Sequence, residues 1–352
     1  MADKAYCIHH CYKMISVHTP RIATPSSQGG DNECYQHVIA QHYRKRCNRT
    51  IEEREASPII HLKKLHNWIK DVLIRMHAEK GKVVLDMACG KGGDLAKWLK
   101  AEVRLYVGVD IVESSLQQAR KRYQELTIKA TNNQSTLRHA YGTSRHNTKG
   151  LGLAAKFVCA DCFTDSLLAN VRPHVPAVSG FDICSCQFAL HYSWSTMGRA
   201  RATMANVAAL LKPGGYFIGT IPDSDVILGK LQRSSSGEFG NRLYKVKFDR
   251  QQHARALRHS EDPYGLQYEF HLEDAVDHCP EWLVPFDQLK KLAQQYGLEL
   301  SLKKNFQEFV TEHMQVPDLV ELMHKLDARG TISHEEWECV SIYLVFAFQK
   351  RQ

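Results

Sequence analysis

From His61 to His77 the apolar residues Leu62, Leu65, Trp68, Ile69, Val72, Leu73 and Met76 recur at helical spacing. Beyond them, short apolar runs alternate with amphipathic stretches. Val83–Met87 reads as a buried strand, and Leu105–Asp110, Lys156–Asp161, Phe181–Cys186 and Gly215–Thr220 read as four further strands. Asp94–Leu99, Val112–Tyr123 and Met204–Leu211 read as the helices between them. Such alternation implies an α/β fold, a parallel sheet covered on both faces. Ser341–Phe348 adds a strong closing strand.

The pattern breaks in three places. Residues 1–55 are polar and rich in turn formers, so they are expected to be largely irregular, with a short helix around Val38–Arg46. Residues 127–152 are polar and Asn/Ser/Gly-rich, hence expected to be a loop. Residues 224–284 carry a helix and short strands at Tyr244–Phe248 and Tyr268–Leu272, which would form a small lid-like insertion within a 56–352 domain. No internal repeat is evident.

Bulk properties narrow the partners. A formal net charge of +8 favours an anionic partner such as nucleic acid. No apolar run approaches the roughly 20 residues that span a bilayer, and no leader pattern opens the chain, so no membrane role is expected. The eleven cysteines are odd in number and scattered, which suits buried thiols rather than a disulfide framework. Cys7-Ile8-His9-His10-Cys11 lacks a second ligand pair at zinc spacing, so no metal is expected.

Four signals fall at strand ends, where open parallel sheets bind ligands. Asp86-Met87-Ala88-Cys89-Gly90-Lys91-Gly92-Gly93-Asp94 follows the first strand as a glycine-rich turn. Ala88 stands where a dinucleotide fingerprint wants its first glycine, which disfavours hydride transfer. Asp110, 20 residues after Gly90, could accept from two ribose hydroxyls. Asp161, ending Cys159-Ala160-Asp161, could accept from an adenine amine. Leu211-Lys212-Pro213-Gly214-Gly215-Tyr216-Phe217 is a turn habitual in methyltransferases.

Several segments are more particular: Asn67-Trp68-Ile69-Lys70, Leu85–Trp98, Phe181–Tyr192, Pro213–Thr220, Phe239-Gly240-Asn241, Pro280-Glu281 and Ser341–Phe348. On these the chain, from about Val38 onward, resembles eukaryotic mRNA cap guanine-N7 methyltransferases. The resemblance implies a Rossmann-like class I S-adenosylmethionine-dependent sheet, mostly parallel with its last strand antiparallel. It implies methyl transfer from S-adenosylmethionine to N7 of the GpppN cap of nascent transcripts, in the nucleus. RNA polymerase II or other capping enzymes would be partners. By the same resemblance Lys70, Ala88, Gly90, Asp110, Asp161, Gln187 and Tyr192 would line the cofactor site. His191, Glu281 and Tyr343 would hold the guanine, and Asn67, Lys91, Lys97 and Arg122 would reach the rest of the cap.

The chemistry agrees with those roles. Guanine N7 has a lone pair and no proton, so no general base is needed and positioning should dominate. A carboxylate such as Glu281 could accept from guanine N1–H and the exocyclic amine. The sequence departs from the family at Ala88, usually Gly, and at His66, often a polar amide. The segment between Phe306 and Trp337 is short where vertebrate relatives carry a lobe that engages a small activating subunit, so that partner is not expected. The rival readings are a methyltransferase for another RNA or small molecule, and a catalytically decayed cap-binding protein.

Overall fold

The computed structural model describes residues 39–41, 44, 50–141, 153–164, 166–257, 262–327 and 332–352. Of the helix expected at Val38–Arg46, residues 39–41 and 44 are helical and the rest lies outside the described residues, as does the Cys7–Cys11 cluster. A short helix α1 (Ile51–Glu55), opened by a Thr50–Glu53 capping box, leads into α2 (Ile60–His77). The apolar stripe of α2 is buried from Leu62 to Leu73, with Met76 exposed, and the Trp68 indole N–H donates to the Leu319 carbonyl at 2.8 Å.

The chain then alternates as its pattern implies: β1 (Val83–Met87), α3 (Leu95–Lys100), β2 (Leu105–Asp110), α4 (Glu113–Tyr141), β3 (Ala154–Cys159), α5 (Leu167–Val171), β4 (Phe181–Gln187), α6 (Met197–Leu210) and β5 (Leu211–Pro222). The next stretch holds α7 (Ser224–Gln232), β6 (Glu238–Gly240), β7 (Tyr244–Lys247), α8 (Arg250–Ala256), β8 (Gln267–Leu272) and β9 (Val276–Trp282). Last come α9 (Phe286–Gln295), β10 (Leu298–Asn305), α10 (Phe306–His313), α11 (Pro317–Leu326), α12 (His334–Val340) and β11 (Tyr343–Lys350).

The main sheet has seven strands in the order β10-β11-β5-β4-β1-β2-β3. β11 runs antiparallel to both neighbours and the other pairings are parallel, so the sheet is mostly parallel with its last strand reversed, as expected. Alternate residues feed opposite cores. Val84 and Val345 face one apolar cluster, while Val83, Leu85, Leu344 and Phe346 face the other. Burial on both sides is why β1 reads as an apolar run broken only by Asp86.

One expectation needs correction. The helix read as Val112–Tyr123 continues to Tyr141, so residues 127–141, expected as loop, are helical. No glycine or proline interrupts Glu113–Tyr141, and polarity alone does not stop a helix. Residues 142–152 lie outside the described residues. Pro280-Glu281 lies within β9. β6-β7-β8-β9 form a small antiparallel sheet in that order, so β9 is an edge strand. An edge tolerates a residue with no N–H to donate.

Candidate active site

The order of the main sheet reverses between β1 and β4, and the crevice beyond those strand ends is where such sheets bind ligands. A cavity of about 1560 Å³ opens there, bounded also by the β8–β9 hairpin. Twelve of the fourteen residues singled out in the sequence line it: Asn67, Ala88, Gly90, Lys91, Asp110, Arg122, Asp161, Gln187, His191, Tyr192, Glu281 and Tyr343.

The turn after β1 sets one wall. Ala88 and Gly90 both adopt left-handed backbone, at φ +54° and +53°. That is ordinary for glycine and costs alanine roughly 1–2 kcal/mol. The turn brings the Gly90 N–H to Asp110 Oδ2 at 2.8 Å, while the Val112 N–H donates to Oδ1 at 2.8 Å. Burial raises the Asp110 carboxyl, and the two amide bonds oppose that rise. Asp161 accepts from the Phe163 N–H at 2.8 Å and is gripped by the Arg199 guanidinium at 3.1 Å. The Gln187 amide donates to Ser185 Oγ at 3.2 Å, and its Oε1 is buried with no hydrogen-bond partner among the described residues.

The opposite wall is aromatic around the Glu281 carboxyl. Tyr343 opens β11 and meets His66 and Phe188 edge-on at centroid distances of 5.3 and 5.2 Å. His191 packs on Tyr192 at 4.1 Å and has no hydrogen-bond partner at either nitrogen among the described residues. Burial pushes His191 down to about 3, so it is a neutral imidazole. Its Nε2 sits 3.6 Å from Glu281 Oε1, a neutral neighbour rather than an ion pair. Burial pushes Glu281 up to about 8, against the opposing effect of a hydrogen bond from the Tyr268 hydroxyl.

Lys70 and Lys97 sit behind the wall. Both ammonium groups converge on Asp94, at 2.8 and 2.7 Å, and Lys97 also donates to Asn67 Oδ1 at 3.3 Å. Burial alone would raise Asp94; the two lysines outweigh it and hold the carboxyl well below the usual range. Burial in turn lowers Lys70.

Sequence reading missed Arg199, Tyr268 and Phe188. Arg199 lies in the first turn of α6, where no spacing marks it, and Tyr268 had been placed only as part of a short strand. Arg54, Lys64 and Lys121 also join Lys91 and Arg122 along the cavity wall. Beneath the site, Asp86 accepts from the Tyr106 hydroxyl at 2.8 Å and is raised to about 7 by burial, then by Asp94.

A seven-stranded sheet with one reversed strand beside β5, and a cavity at the switch point, defines a class I S-adenosylmethionine-dependent methyltransferase. The chain matches the family model of the mRNA (guanine-N(7))-methyltransferase domain over residues 27–351, and it belongs to that family. It is 49% identical over 320 residues to mRNA cap guanine-N(7) methyltransferase 1 of Oryza sativa subsp. japonica, covering 89% of this chain and 81% of the relative. It is 38% identical to the mRNA cap guanine-N(7) methyltransferase of Schizosaccharomyces pombe, covering 90% and 82%. Solved structures align at lower identity. One is a methyltransferase from Streptomyces caelestis, at 15% identity and TM-score 0.47, covering 89% of this chain and 96% of the other.

Proposed function

We propose that the cavity is where this chain performs its family's reaction, methylation of guanine N7 in an mRNA cap. The observation that carries this reading is Glu281, a buried carboxyl on the cavity wall with one oxygen engaged by Tyr268. Such a group beside a neutral His191 suits a flat base that presents N1–H and an amine. Tyr343, Phe188 and His66 offer aromatic surface for the base. Lys91, Arg122, Arg54, Lys64 and Lys121 supply cations for a triphosphate.

The other wall fits S-adenosylmethionine. Each Asp110 oxygen accepts one backbone amide and retains a lone pair, which suits two ribose hydroxyls. The unpartnered Gln187 Oε1 is a buried acceptor, which costs free energy unless a ligand donates to it. Asp161, fixed by Arg199, suits an adenine amine. When bound, the sulfonium supplies an activated methyl group. The protein need only orient the base and exclude water, so no side chain has to move a proton to or from N7. A nascent transcript as substrate implies work in the nucleus beside the polymerase and the other capping activities. Among the described residues no helix is long and apolar enough to cross a membrane.

The test is incubation with labelled S-adenosylmethionine and GpppA- or GpppG-capped RNA, followed by digestion. Label in 7-methylguanosine that is lost in both E281A and D110A supports both walls. No label on capped RNA, despite measurable S-adenosylhomocysteine binding, would sink the cap assignment.

A further inference from the structure

We propose that the β8–β9 hairpin carries a transition-metal site, built from His271, Asp277 and His278 and suited to Zn²⁺. One ligand atom from each lies within 4.8 Å of the other two. This inference rests on none of the cap chemistry.

The ladder explains why they meet. Phe270 pairs with Cys279 and Leu272 with Val276, so His271 alone on β8 opposes both Asp277 and His278 on β9. Two residues against one is a β-bulge, which re-aims side chains. His278 adopts φ +44° there, a conformation that costs a non-glycine residue on the order of 1 kcal/mol. The two imidazoles lie 4.8 Å apart at 34°.

The donor atoms lie close to a metal-ligand arrangement. His271 Nδ1 is buried with no hydrogen-bond partner among the described residues, 3.6 Å from Asp277 Oδ1. Its Nε2 faces Glu273 Oε2 at 3.7 Å. His278 Nδ1 lies 2.8 Å from Glu269 Oε1, and donation there leaves the lone pair on Nε2. The Glu269 carboxylate behind His278 sets that ring's tautomer and raises its basicity, as a carboxylate does for metal-bound histidines. Tetrahedral zinc with bonds of about 2.0–2.1 Å spaces its ligands roughly 3.4 Å apart. Closure therefore asks for up to about 1.4 Å of approach between ligand atoms. The Asp277 and His278 side chains, 83% and 55% exposed, have the freedom to supply it. Two imidazoles and a carboxylate leave a fourth position for water.

The experiment titrates ZnCl₂ into chelator-stripped full-length protein by calorimetry. A parallel Co²⁺ titration reads coordination geometry by visible absorption. C7S/C11S serves as the parent, so that the N-terminal Cys and His residues do not mask the count. We expect one equivalent in the parent, its loss in H271A and in H278A, and at least tenfold weaker binding in D277N. Thermal melts followed by circular dichroism verify that each variant folds. A parent that binds no zinc, or an unchanged equivalent in both H271A and H278A, overturns the site. Because His278 is the more exposed histidine, its variant decides the matter should H271A fail to fold.

Discussion

Tyr268 and Glu281 face each other across the β8–β9 ladder, and the Tyr268 hydroxyl donates to Glu281 Oε2 at 2.8 Å. Residues directly opposite in an antiparallel pair hold their side chains about 5 Å apart. The sheet itself therefore sets the carboxyl's orientation before any ligand arrives. We expect Y268F to raise KM for capped RNA more than it lowers kcat, with S-adenosylhomocysteine affinity unchanged. An unaltered KM would show that the hydroxyl does not position Glu281.

The Glu281 carboxyl, raised to about 8 by burial, holds its proton at pH 7 in the ligand-free protein. Guanine N1–H and its amine are donors, and donors favour the ionised form of an acceptor. Cap binding at pH 7 should therefore release close to one proton, and the release should fade above pH 8, where the group is already ionised. Calorimetry of a cap analogue in buffers of different ionisation enthalpy reads this directly. E281Q should bind with no proton release; equal release by E281Q and the parent would assign the proton elsewhere.

Ala88 carries a left-handed backbone that glycine adopts without strain. Relief of roughly 1–2 kcal/mol is offset by about 0.5–1 kcal/mol of glycine entropy. A88G should gain up to about 1.5 kcal/mol in urea unfolding, and A88V should lose stability. A midpoint for A88G below that of the parent would contradict this account.

Arg199 and Asp161 form a pair whose side chains are 13% and 15% exposed. Removing one partner from a buried pair strands the other charge. R199A should weaken S-adenosylhomocysteine binding by about tenfold, roughly 1.4 kcal/mol. R199K should recover only part of it, because an ammonium cannot match the fork of a guanidinium. Calorimetry decides, and full affinity in R199A would remove Arg199 from the site.

What was legible in the chain follows from physics that is local. Val83–Met87 and Leu105–Asp110 declare buried strands because both faces are covered, and the acidic and glycine positions at their ends lie together in the cavity. Helix α4 was misread past residue 127 because its polar composition resembles a loop, although nothing in it breaks a helix. Strand β9 was not legible around Pro280 because the edge position that tolerates a proline depends on the whole sheet. Arg199 was invisible because its importance comes from Asp161, 38 residues away. Lys70 and Lys97 could be picked out by resemblance, but their shared hold on Asp94 is a matter of tertiary contact.

The two halves of the cavity stand on unequal footing. Asp110 and Gln187 end strands paired on both sides, whereas Glu281 rides a strand with a neighbour on one side only. Lifting β9 breaks a single ladder, so local opening there should cost less than global unfolding and leave the central strands intact. Amide hydrogen exchange would reveal faster exchange in β9 than in β1 or β4. On the proposed assignment of the site, the consequence is a division of labour in time: a lasting seat for the nucleoside and a hinged one for the base, through which a bulky RNA end could arrive and depart.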